Sequence, residues 1–206
     1  MFEQTIDRAT WAEIERVGKL VAERADAWAI PRVSAEFIHG LVLAGAFRRG
    51  IEVGTSYGFS GLWIGAALRH NGGTLVTIEN NPAKIALAHD TFRQAGLAET
   101  IHIVSGNAGA VLPSLEGPFD FVFLDADKDN VLHYFELLWP RLAHRATIVT
   151  DNITSHAAQM TRFVEHLRQH PQLCSALVPI GSGLELSVKV DSAARTASID
   201  GADWVI

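Results

Sequence analysis

Residues 51–60 read IEVGTSYGFS. An apolar run over 50–53 stops at Gly54, and Gly54 and Gly58 bound a short turn. A helical pattern follows from about Gly58 to His70, with Trp63 among its apolar positions. Apolar run, glycine turn and amphipathic helix together make one β-α unit. The pattern recurs downstream. Short strands are predicted over 74–78, 101–104, 119–124 and 147–150. Helices are predicted from Asn81-Pro82, over 107–115, through Val131, Phe135, Leu138 and Leu142, and through Met160, Phe163, Val164 and Leu167. Residues 119–124, FDFVFL, are nearly all apolar, which suits a strand covered on both sides. Two closing strands are predicted near 176–180 and 184–190. Five β-α units and a strand pair predict an α/β fold with a largely parallel sheet and helices on both faces.

Before the first strand, Ile14, Val17, Val21 and Trp28 make one helical stripe over 8–28 that Pro31 ends. Ser34 is placed as N-cap of a second helix with Phe37, Ile38, Leu41 and Val42 inward. The 206 residues read as one domain: N-terminal helices over 1–46, then the β-α body, then a polar tail over 191–206. Hydrophobic residues are 48% and charged residues 19%, a composition that excludes a disordered chain. A net charge of −6, without a Lys/Arg run, argues against nucleic acid or an anionic membrane as partner. The single cysteine, Cys174, excludes an internal disulfide and a Cys-based zinc cluster; a reducing cytoplasm is the expected setting.

In open α/β sheets ligands bind outside the carboxyl ends of the strands. Those ends carry Glu52–Ser60, Glu79-Asn80, residues 105–108, residues 125–130 and residues 151–154. Glu79 lies 21 residues after Gly58, where a carboxylate commonly accepts from two ribose hydroxyls. With the glycine turn this reads as a nucleoside-cofactor site. The dinucleotide fingerprint G-x-G-x-x-G fails, because Ser56 stands at its second glycine. No P-loop occurs, and neither Tyr57 nor Tyr134 has the lysine of a short-chain reductase four residues on. S-adenosylmethionine therefore fits better than NAD or ATP.

Asp125 follows the fourth strand; Asp151 and Asn152 follow the fifth. Adjacent strand ends lie about 5 Å apart. Three oxygen side chains there suit a hard divalent cation, Mg²⁺ or alternatively Mn²⁺ or Ca²⁺. As strand-end groups capping the next helices, the same residues would need no ion. Lys128, three residues past Asp125, is placed to take a proton from a hydroxyl held at such an ion. Of nine histidines only His156 is placed near this cluster.

From about Pro31 to Val190 the chain resembles the cation-dependent O-methyltransferases of the caffeoyl-CoA and catechol type. The resemblance is carried by IEVGTSYGFS (51–60), TIEN (77–80), FLDADK (123–128), TDN (150–152) and IGSGLEL (180–186). It implies a Rossmann-like class I methyltransferase fold, seven strands with the last antiparallel. It implies cofactor contacts from Glu52, Gly54, Ser60, Glu79, Gly106, Asn107, Ala108 and Asp125. It implies a cation on Asp125, Asp151 and Asn152, Lys128 as base, a catechol-like vicinal diol as methyl acceptor, and a homodimer. The chain departs from the family pattern at Ser56, Val131, Arg145-Ala146, residues 153–156 (ITSH) and Ser182, which stands where the family has an acid. A non-catalytic binding module on the same fold, and a nicotinamide oxidoreductase, are the other readings the sequence leaves open.

Overall fold

Phe2 and residues 4–190 are described in the computed structural model of the chain; the tail expected over 191–206 lies outside them. Helices α1 (Arg8–Ala22) and α2 (Arg32–Ala44) precede the sheet. Then follow β1 (Arg49–Val53), α3 (Phe59–His70), β2 (Thr74–Glu79), α4 (Pro82–Gln94), β3 (Ile101–Ser105), α5 (Ala108–Val111) and β4 (Phe119–Leu124). The chain continues through α6 (Val131–Leu138), β5 (Leu142–Thr150), α7 (Ala157–Gln169), β6 (Leu173–Val178) and β7 (Leu184–Lys189). The strands form one sheet in the order β3-β2-β1-β4-β5-β7-β6. β1 to β5 pair in parallel, and β7 pairs antiparallel with both β5 and β6. Among the described residues β7 alone therefore runs against the other six. No helix among them is long and apolar enough to cross a membrane.

Side-chain alternation builds the two layers. On β4, Phe121 and Phe123 face the core that α1 to α4 cover, while Val122 and Leu124 face the core under α5 to α7. From Phe121 to Leu124 the strand is buried on both sides, which is why FDFVFL is apolar at every position but Asp120. Glycine is required where the layers meet the strand ends. Gly54 has φ +105°, and a Cβ there would sit 2.3 Å from the Asp125 carbonyl oxygen. Gly58, with φ +85°, opens α3 against the ring of Phe92, which a Cβ would meet at 2.8 Å.

Several boundaries differ from the sequence reading. The first helix stops at Ala22, and Trp28 is 85% exposed with φ +44° instead of lying on an apolar stripe. The segment after α1 is held by tertiary bonds: Ser56 Oγ donates to Ala27 O at 2.7 Å, and Tyr57 Oη donates to Asp26 Oδ2 at 2.9 Å. Ser34 does not cap α2. Pro31 holds that position, and Ser34 is buried in the first turn. Leu142 belongs to β5, not to the preceding helix, because Trp139–Arg141, with Pro140, forms a 3₁₀ turn. β5 is longer than residues 147–150, and its extension is accommodated by a register shift between Phe119 and Phe121 of β4. The helix expected over 107–115 is α5 followed by a 3₁₀ turn over Leu112–Ser114. β6 begins at Leu173, earlier than residue 176, and ends at Val178, before Pro179.

Candidate active site

The strand order reverses between β1 and β4, so their carboxyl ends open into one crevice. Three backbone bonds carry the sheet's geometry past its formal ends. Asp125 N donates to Val53 O at 3.0 Å, Asp151 N to Leu124 O at 3.1 Å, and Gly54 N to Ile78 O at 3.1 Å. These bonds set the ends of β1, β2, β4 and β5, four of the five strand ends expected to bind a ligand, side by side.

On the β1–β2 side, Glu79 spans two loops. Its Oε2 accepts from Ser56 N at 2.8 Å; its Oε1 accepts from Asn80 N at 3.0 Å and Asn81 N at 2.9 Å. Gly106 N donates to Glu79 O at 2.9 Å, and Gly106 has φ +149°. Asn107 Oδ1 caps α5 through Gly109 N, and Ala108 is buried behind it. Ser56 takes the left-handed region at φ +47°, which a glycine at the second fingerprint position would adopt without strain. Glu52 is fully buried below this mouth. Its two oxygens accept from Ser60 Oγ at 2.5 Å and Thr77 Oγ1 at 2.6 Å.

On the β4–β5 side, Lys128 Nζ lies 3.3 Å from Asp125 Oδ1 and donates to Ala126 O at 2.9 Å. The turn that carries them is tied by Asp127, which accepts from Asn130 N and from Tyr134 Oη. Asp151 is buried, and its Oδ1 accepts from Ser182 Oγ. Asn152 has φ +66°; its Nδ2 donates to Ser155 Oγ at 3.3 Å, and that hydroxyl contacts His156 Nδ1 at 3.0 Å. Burial pushes the Asp125 carboxyl up to about 7, with Lys128 pulling it down and the charge of Asp151 pushing it further up. Burial also raises Asp151, against the pull of Ser182, Asn152, Lys128 and His156.

Asp125, Asp151 and Asn152 are oxygen donors of the type a hard cation takes. Among the described residues no three His, Cys, Asp or Glu side chains cluster to hold a metal. The expected set is two carboxylates and an amide, oxygen donors without a thiolate. Two carboxylates withdrawn from water, one raising the other, form an electrostatic arrangement that a cation relieves.

Residues 51–153 match a family described as a methyltransferase domain. The chain is 35% identical to a catechol O-methyltransferase of Mycobacterium tuberculosis, across 76% of this chain and 79% of that one. It is 40% identical to a catechol O-methyltransferase of Niastella koreensis, across half of this chain and 48% of the relative. Its fold matches the O-methyltransferase TomG from Streptomyces achromogenes, solved with SAM, with a TM-score of 0.78. That match has 26% identity and covers 90% of this chain and 91% of TomG. The chain belongs to the S-adenosylmethionine-dependent O-methyltransferases.

In this methyltransferase the partners of the expected residues were not legible from spacing. Thr77, which stands in the strand and in the TIEN segment, bridges Glu52 to Thr55 at 2.6 Å, a link that no spacing predicts. Tyr134, seven residues after Asp127, is a helix position whose reach back to the turn depends on where α6 begins. Ser182 was visible as a substituted position, but its bond to Asp151 spans 31 residues.

Glu52 supplies a pH test. Burial pushes its carboxyl from 4.5 up to about 7, the Ser60 and Thr77 hydroxyls pull it down, and the charges of Asp125 and Glu79 push it up. A carboxyl raised on folding favours the native state below pH 4.5; that advantage is lost as pH rises to about 7. Glu52→Gln cannot ionise. Relative to wild type, it is expected to gain stability between pH 5 and pH 8, by at most roughly 3 kcal/mol. Thermal melts of both proteins across that range check this; a difference independent of pH would exclude ionisation of Glu52.

Proposed function

We propose that this methyltransferase moves the methyl group of S-adenosylmethionine to one hydroxyl of a catechol-like vicinal diol. A divalent cation, Mg²⁺ by donor type, is held by Asp125, Asp151 and Asn152. Lys128 takes the hydroxyl proton. The observation that carries the reading is the contact of Lys128 with Asp125 at the end of β4, next to the end of β5 where Asp151 stands, beside the loop that Gly54 lets approach Asp125. The acceptor class is supported by the two relatives named catechol O-methyltransferase.

The donor set is Glu52, Gly54, Ser60, Glu79, Gly106, Asn107, Ala108 and Asp125. Glu79 Oε2 accepts from Ser56 N and keeps acceptor capacity for a ribose hydroxyl, while Oε1 takes Asn80 N and Asn81 N. Glu52, Ser60 and Thr77 tie β1, α3 and β2 together below the cleft. When bound, the cation supplies Lewis acidity and a template for two neighbouring oxygens. Lys128 Nζ, 3.3 Å from Asp125 Oδ1, takes the acceptor's proton. An oxygen–carbon bond forms, the carbon–sulfur bond breaks, and its electron pair returns to sulfur as S-adenosylhomocysteine leaves. Alignment of oxygen and methyl carbon supplies much of the acceleration. A homodimer in a reducing cytoplasm belongs to the same reading.

The test is dialysis against EDTA followed by assay with catechol and S-adenosylmethionine. Product formation is expected to fall to background and to return with Mg²⁺. Full activity in EDTA would remove the cation, and equal methylation of a simple monophenol would remove the diol.

A further inference from the structure

We infer that Ser182 is a positioning residue for the cation site, its hydroxyl setting the direction in which Asp151 presents its carboxylate. The inference rests on the function proposed above. Ser182 lies in the tight turn between β6 and β7, and its Oγ donates to Asp151 Oδ1. That turn is held to the Asp151 loop by four more bonds. Ser182 O accepts from Thr154 N at 3.0 Å, Thr154 Oγ1 at 2.7 Å and Ser155 N at 3.2 Å, and Gly183 O accepts from Ile153 N at 3.0 Å.

The turn is wedged on both flanks. Gly183, with φ +81°, leaves room for Thr154, whose side chain a Cβ would meet at 2.6 Å. Gly181, with φ +55°, packs so that a Cβ would lie 2.2 Å from Ser34 Oγ and 3.0 Å from Pro31 Cγ. The Ser182 hydroxyl is thus delivered by a backbone fixed against both α2 and the site loop. It is a neutral donor, so it restrains a carboxylate rotamer without cancelling the charge a cation needs. An acid at this position would instead place a second carboxylate against Asp151. Hydrogen bonds to ligating carboxylates orient them, and losing such a partner typically costs 10- to 100-fold in metal affinity.

The experiment is calorimetric titration of Mn²⁺ into the full-length protein as wild type, Ser182→Ala and Ser182→Thr, with melting temperature and donor KM measured alongside. Ser182→Ala is expected to weaken Mn²⁺ binding about 10-fold or more and to leave donor KM within about twofold. Ser182→Thr keeps the hydroxyl and is expected to recover binding to within about threefold of wild type. Ser182→Ala binding Mn²⁺ as tightly as wild type would overturn the inference and leave the proposed function standing. A lowered melting temperature with unchanged Mn²⁺ affinity overturns it equally, since that marks a structural role alone. Wild type that binds no Mn²⁺ at millimolar concentration overturns the cation reading itself, and the inference with it. Should the Ala variant show no melting transition, Ser182→Cys, a weaker donor of similar size, is read instead. An affinity between wild type and tenfold weaker supports the role, and wild-type affinity overturns it.

Discussion

Lys128→Ala is expected to lower the turnover of methyl transfer by about 10²- to 10⁴-fold, the usual contribution of a positioned proton acceptor. Donor KM is expected to stay within about threefold. Lys128 contacts Asp125, one of the eight donor residues, and Ala126 O, whereas the Glu79 mouth is built from Ser56, Asn80, Asn81 and Gly106. Lys128→Ala also removes the side chain that lowers both Asp125 and Asp151. Lys128→Arg separates the two roles. A guanidinium keeps positive charge beside Asp125 yet does not give up its proton at any working pH. The Arg variant is therefore expected to be as slow as the Ala variant. Steady-state kinetics with catechol decide: turnover of the Arg variant near wild type would show that Lys128 supplies charge only, and turnover of the Ala variant within twofold of wild type would remove Lys128 from the chemistry.

Much of this site was legible because strand ends are where pattern and chemistry coincide. The run FDFVFL fixes β4 by its two-sided burial, so Asp125 falls at its end without further evidence. The same holds for Glu79 after TLVTI and for Asp151 after TIVT. Helix ends were less legible when tertiary bonds set them. The apolar spacing continues to Trp28, yet Asp26 and Ala27 are drawn to Tyr57 and Ser56, 31 and 29 residues on, and the chain leaves the helix at Ala22. Leu142 fits a helical stripe as well as a strand; Pro140 decides against the helix only once the turn it makes is known. The supporting hydroxyls of Ser60, Thr77 and Ser182 lie beyond any local pattern. Their partners are carboxylates on other elements, and burial makes those bonds matter: an unpaired buried carboxylate is costly, so each is met by a donor.

The second large effect is on stability. Arg168→Ala is expected to destabilise the protein by roughly 2–3 kcal/mol, below the 3–5 kcal/mol of a fully buried pair because the guanidinium is half exposed. Arg168 on α7 grips Glu185 on β7 with both prongs, Nε to Oε1 at 2.8 Å and Nη2 to Oε2 at 2.9 Å. Its side chain is 47% exposed, whereas that of Glu185 is 0% exposed. Truncating the arginine strands a buried carboxylate in the core between the sheet and α7. For a chain of this length, the loss corresponds to a fall in melting temperature of roughly 5–10 °C. Glu185 pairs with Thr150, the residue before Asp151, so the same ion pair braces the strand that carries the site. Arg168→Ala combined with Glu185→Leu removes the stranded charge and is expected to recover most of the stability, since an apolar replacement of a buried pair is often neutral. Thermal or urea melts of the single and double variants separate the cases. A single variant melting within 2 °C of wild type would mean that water already reaches Glu185; failure of the double variant to recover would mean that the pair stabilises β7 by more than compensating its own charge.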